Sequence, residues 1–144
     1  MIYETNANRE AQAAALRDFI GVAGVTFHLM LPTVSVADCI VRTGRLALIE
    51  IKVRSNQFQK YPTLIIDKRK LDDVSNVANM LGMSSGLLVR WTDAFGLLRL
   101  ESIMDKSYPT IMGGRTDRDD PNDIDKVYEI PTGDFKIWGM PRND

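Results

Sequence analysis

Asp38, Glu50 and Lys52 bring two carboxyl groups and an ammonium into one short stretch of chain. Glu50 and Lys52 stand two apart within residues 45–53 (Arg-Leu-Ala-Leu-Ile-Glu-Ile-Lys-Val), a run that reads as a β-strand. On a strand both side chains leave the same face, while Ile49 and Ile51 take the opposite face into the core. The near-continuous apolar run marks a central strand covered on both sides, where ionisable groups are costly unless they pair or serve a site. Two carboxylates a few ångströms apart repel unless a divalent cation lies between them. Such a cation polarises a phosphoryl oxygen and acidifies a bound water. A nearby ammonium stabilises the charge of the transition state or positions that water. The residue types therefore suit hydrolysis of a phosphodiester, with the Ile51 backbone carbonyl as a further oxygen ligand.

The elements around these residues must bring Asp38 to Glu50. Residues 34–42 form a candidate strand before the Thr43-Gly44 turn signal. A two-residue loop there would set Asp38 opposite Ile49, on the wrong face. For Asp38 to lie opposite Glu50 the connection must be a three-residue loop at 43–45, a longer odd loop, or a bulge. Upstream, residues 5–22 predict a helix with an apolar face at Ala15, Phe19 and Val22, and residues 25–31 a strand ended by Pro32. Downstream, residues 54–64 are polar and irregular. A second helix is expected over about 67–81, with Leu71, Val74, Val77, Ala78 and Leu81 at helical spacing and Gly82 after it. Met80 and Met83 read as core filling at its end, and residues 86–92 and 95–103 as paired strands. From about 113 the chain is acidic and turn-rich, leading to a short apolar segment at 127–131. The order α-β-β-β-α-β is that of an α/β domain with a mixed central sheet flanked by helices, followed by a C-terminal appendage.

Composition narrows the function classes. The 144 residues suit one domain, and 44% hydrophobic content suits one core. No apolar run approaches the roughly 20 residues that span a bilayer, so no membrane partner is expected. A single cysteine, Cys39, fits a reducing cytoplasm. With one Cys and one His, a zinc site made only of those types is excluded, and any metal is held by oxygen, which favours Mg2+ or Mn2+. Net charge is −1, yet residues 42–70 carry eight basic side chains against two acids, giving a positive stripe suited to phosphates.

Asp38, eleven further residues and then Glu50-Ile51-Lys52 resemble the PD-(D/E)xK nuclease superfamily with its restriction-endonuclease-like fold. Ala37 stands where that pattern usually has proline. The resemblance extends over about residues 3–92. Tyr61-Pro62-Thr63, Lys68 and Lys70 at the start of the second helix, and Gly86-Leu87-Leu88-Val89-Arg90-Trp91 are similar to small phage-associated members. It implies an Mg2+- or Mn2+-dependent endonuclease acting on DNA. Asp38 and Glu50 would be metal ligands, Lys52 the catalytic lysine and Glu10 of the first helix an accessory acid. Arg54, Gln59, Lys60, Lys68 and Lys70 are candidates for contacting DNA. Lys68 lies where the helix dipole disfavours a cation, and a phosphate contact would be a reason to keep it there. So short a chain leaves little room for a separate sequence-reading domain, so structure-directed or weakly specific cutting is expected. Cutting both strands of a duplex would suit a homodimer. The alternative is a catalytically inactive nuclease-fold protein that binds nucleic acid or acts as a phage interaction protein.

Overall fold

A computed structural model describes residues 6–32, 35–42, 44–101, 108–114 and 124–139. Thr43 and the acidic stretch 115–123 lie outside the described residues. The chain runs α1 (Asn6–Ala23), β1 (Phe27–Met30), β2 (Cys39–Arg42), β3 (Leu46–Val53), β4 (Thr63–Asp67), α2 (Lys68–Met80), β5 (Ser84–Arg90), β6 (Ala94–Arg99), β7 (Thr110–Gly114), β8 (Ile124–Pro131) and β9 (Lys136–Gly139). Six strands form a sheet in the order β1-β2-β3-β5-β6-β9. Within it β3 pairs antiparallel with β2 and parallel with β5, so the sheet is mixed.

The alternation of β3 sorts the core into two layers. Ile49 and Ile51 join Ala15, Leu16 and Phe19 of α1, together with Cys39, Val41, Leu88 and Phe95. Leu48 faces the other way, among Leu71, Val74 and Ala78 of α2. Each such apolar side chain taken wholly out of water contributes roughly 1.5–3 kcal/mol. The α2 helix starts where Asp67 caps it, its carboxylate accepting from the Arg69 N–H at 3.0 Å. This is the restriction-endonuclease-like arrangement expected from the sequence, with one helix on each face of a mixed sheet.

Differences from the sequence expectation are local. The helical pattern does not continue through Leu81: α2 ends at Met80, and Met80 and Leu81 are 83% and 63% exposed. Met80 is therefore not core filling, whereas Met83 is partly buried and packs against the α2-side core. Residues 63–67, within and just after the stretch read as irregular, form β4, the edge of a second sheet ordered β4-β8-β7. Residues 124–139 supply β8 at the middle of that sheet and β9 at the edge of the main one.

The β5–β6 hairpin is locked by aromatic packing. Trp91 is buried between Phe58 and Phe135, its ring edge-on to Phe135 at 5.5 Å. A Cβ at Gly96 would lie 2.6 Å from Trp91 Cζ3 and 3.1 Å from Phe135 Cδ2. Neither ring is a flexible chain end that can swing aside. Gly96→Ala is therefore expected to destabilise the fold by about 2 kcal/mol, read as a lower denaturation midpoint at unchanged m-value.

Candidate active site

The β2–β3 register is Cys39↔Ile49, Ile40↔Leu48, Val41↔Ala47 and Arg42↔Leu46. This register implies a connection of odd length, as expected; the paired strand begins only at Cys39, so Asp38 stands just before it rather than within a strand over 34–42. Gly44 sits in this turn with φ 134°, a backbone region that L side chains seldom adopt. At Asp38 the regular ladder shifts by one residue. Its N–H donates to the Ile49 carbonyl at 3.0 Å, its own carbonyl accepts from the Leu31 N–H at 2.9 Å, and its Oδ2 accepts from the Ile51 N–H at 2.7 Å. Backbone and side chain together fix Asp38 against β3, and the residue is 5% exposed.

Glu50 is 1% exposed. Its Oε1 lies 3.8 Å from Lys52 Nζ and its Oε2 3.6 Å from Lys70 Nζ, the latter reaching in from the first turn of α2. Oε2 is buried with no hydrogen-bond partner. Burial, then the Asp38 carboxylate, push the Glu50 carboxyl from 4.5 up to about 8, against the opposing pull of Lys52 and Lys70. The same two causes, with Asp38 and then Glu50 as the charges, raise the Cys39 thiol to about 12. Cys39 is therefore an inert core residue on the α1 side, as its strand parity implies.

The α1 helix braces the site from the other face. Gln12, 8% exposed, donates from Nε2 to the Ile51 carbonyl at 3.3 Å. Arg9 donates to the Gln12 Oε1 at 3.4 Å and to the Leu31 carbonyl, and its guanidinium lies 3.8 Å from Asp38 Oδ1. Arg9 and Gln12 thus reach the cluster from α1. Glu10 is exposed, and two residues along a helix turn it about 200° away from Gln12. The sequence signal for Arg9 and Gln12 was their three-residue spacing, continued by Ala15 and Leu16 onto the buried side of α1.

The basic stripe of residues 42–70 divides in space. Lys52 and Lys70 converge on Glu50. Arg54 donates to the Ile65 carbonyl at 3.2 Å, pinning β3 to β4, and Arg45 donates to the Gly82 carbonyl at 3.2 Å. Lys68 pairs with Asp72 and lies 5.4 Å from the centre of the Tyr128 ring, whose hydroxyl also donates to Asp72. Gln59 and Lys60 are exposed, with the Lys60 ammonium 5.4 Å from the Tyr61 ring centre.

The groups able to hold a divalent cation are the Asp38 and Glu50 carboxylates with the Ile51 carbonyl. Among the described residues no cluster of three or more His, Cys, Asp or Glu side chains adds to them. The donor set fits a hard cation: all oxygen, two carboxylates whose mutual repulsion it would relieve, and a buried oxygen without a partner.

Residues 1–137 match the family described as "Phage putative PDDEXK endonuclease". No curated protein matches the chain. Among solved structures, the fold is similar to that of Hjc, a Holliday junction resolvase from the archaeal hyperthermophile Archaeoglobus fulgidus. That match has a TM-score of 0.55 and 12% sequence identity, and covers 87% of each chain. At this identity the likeness is one of fold.

Proposed function

Because the chain belongs to the phage PDDEXK endonuclease family, we propose that it is a divalent-metal-dependent endonuclease hydrolysing DNA phosphodiester bonds at Asp38, Glu50 and Lys52. The observation that carries this reading is Glu50 Oε2, a buried carboxylate oxygen with no hydrogen-bond partner beside a second buried carboxylate. When bound, Mg2+ or Mn2+ supplies Lewis-acid polarisation of the phosphoryl oxygen and a more acidic water. Asp38 and Glu50 hold the ion, and the Ile51 carbonyl completes the protein's share of ligands. The Gln12 amide takes one lone pair of that carbonyl and orients the other. The Asp38 bond to the Ile51 N–H keeps the carboxylate from swinging out. Lys52 shares the Glu50 face and is one-third exposed, so its ammonium can meet a phosphate oxygen as charge builds there. Arg54, Gln59, Lys60 and Lys68 are the proposed contacts to the DNA strand; Gln59 and Lys60 are exposed, whereas Arg54 and Lys68 already engage the Ile65 carbonyl and Asp72.

Substrate structure, not base sequence, is the expected determinant, and the Hjc fold makes branched DNA the first substrate to try. A homodimer would let two centres cut two strands, and the lone cysteine suits a cytoplasmic protein. Among the described residues no helix is long and apolar enough to cross a membrane. The test is incubation with supercoiled, linear and branched DNA, with Mg2+, with Mn2+ and with a chelator. Metal-dependent cleavage, strongest on branched DNA, is expected. DNA binding without cleavage under every condition would favour the inactive binding protein.

A further inference from the structure

Lys70 is unexpected where it stands. The first turn of a helix disfavours a cation, and α2 has no acid within that turn, only the Asp67 carboxylate at its cap. Its ammonium is nevertheless directed at Glu50, whose carboxylate already has Lys52 on its other oxygen. The two lysines divide the carboxylate between them: Lys52 faces Oε1 and Lys70 faces Oε2. At 3.6 Å the Lys70 contact is an ion pair too long to be a hydrogen bond, which leaves Oε2 unbonded. Lys70 therefore faces the oxygen without saturating it. Its side chain is 38% exposed, so the ammonium has room to withdraw towards solvent.

A divalent cation on Oε2 and an ammonium at 3.6 Å from the same oxygen repel each other, so they do not share it unchanged. Resting on the endonuclease reading above, we propose that Lys70 is a second lysine of the cleavage centre. It holds the cation's place against Glu50 before metal binds, and turns to the scissile phosphate afterwards. Lys52 and Lys70 then grip the phosphate from two elements, β3 and α2, that meet only in the folded chain.

The test separates metal binding from cleavage. Mn2+ alone is titrated into wild type, Lys70→Gln and Lys70→Arg by calorimetry at a pH above 8, where Glu50 is ionised and no proton competes with the metal, and single-turnover cleavage of branched DNA is measured at saturating Mn2+. Lys70→Gln is expected to bind Mn2+ about fivefold more tightly, because the competing charge is gone, yet to cleave about 10²-fold more slowly. Lys70→Arg keeps the charge and is expected to stay within a few-fold of wild type in Mn2+ affinity and to recover part of the rate. A purely structural lysine would not tighten metal binding on removal. Unchanged or weaker Mn2+ binding by Lys70→Gln, with wild type binding normally, would overturn this inference alone. So would an unchanged rate at saturating Mn2+. Failure of wild type to bind Mn2+ at all would overturn the metal reading and this inference with it.

Discussion

Glu50→Gln is expected to abolish cleavage and, in the metal-free protein at pH 8, to raise the unfolding temperature by about 5 °C or more. The two effects share one cause. Glu50 is 1% exposed, faces a second carboxylate, and has its carboxyl pushed up to about 8 from 4.5. The folded protein keeps the Glu50 proton to about pH 8, whereas the unfolded chain loses it near 4.5. Between these values the unfolded state binds fewer protons, so this group makes stability fall as pH rises through that window. By pH 8 the cost approaches about 4 kcal/mol, of which a buried amide that cannot ionise recovers the larger part. Metal must displace the same proton, so Mn2+ affinity should climb with pH and level off above about 8. Thermal melts of both proteins from pH 5 to 9, with and without Mn2+, check all of this. Wild type should regain stability on adding Mn2+ and Glu50→Gln should not. A Glu50→Gln protein less stable than wild type at pH 8 would contradict the strain assigned to this carboxyl.

Lys52→Ala is expected to lower the single-turnover cleavage rate about 10³-fold at saturating metal, an effect of the size seen when a donor to transition-state charge is removed. Metal binding should survive, because Lys52 is not itself a ligand. Its ammonium lies 3.8 Å from the Glu50 oxygen, and it is the charge that most favours ionisation of that carboxyl. Fold stability should change little, since the side chain is one-third exposed. Calorimetric Mn2+ titration beside the rate measurement distinguishes this from general damage. Loss of Mn2+ binding together with the rate would instead mean that Lys52 organises the metal site.

The residues that could be read from the sequence are those whose partners are close along the chain. Glu50 and Lys52 share a strand face by parity alone, and Asp38 lies one hairpin away, so register and loop length bind them into a single geometric requirement that the 43–45 turn meets. What escaped is non-local. Thr63–Asp67 is a short strand behind Pro62, and its partner β8 begins about sixty residues later, so no local pattern marks the pair. The same holds for β9, a four-residue edge strand whose partner β6 lies far upstream. Arg9 and Gln12 sit in an alanine-rich helix where polar residues read as solvated; their spacing with Ala15 and Leu16 marks an inward face, but that this face meets the cluster depends on how α1 packs on the sheet. Glu10 lies on the exposed side of the same helix. Lys70 read as one of a basic stripe, because its meeting with Glu50 depends on how α2 docks against β3.

A metal centre built on Asp38 and Glu50 is tested most directly by locating the metal. Crystals soaked in Mn2+, with data collected at the manganese absorption edge, should show one anomalous peak between the two carboxylates and within coordination distance of the Ile51 carbonyl. The same soak of Glu50→Gln crystals should lose it. A protein that cleaves DNA in Mn2+ while its crystals show the ion elsewhere, or leave this position empty, would contradict the assignment of Asp38, Glu50 and Lys52 as the cleavage centre.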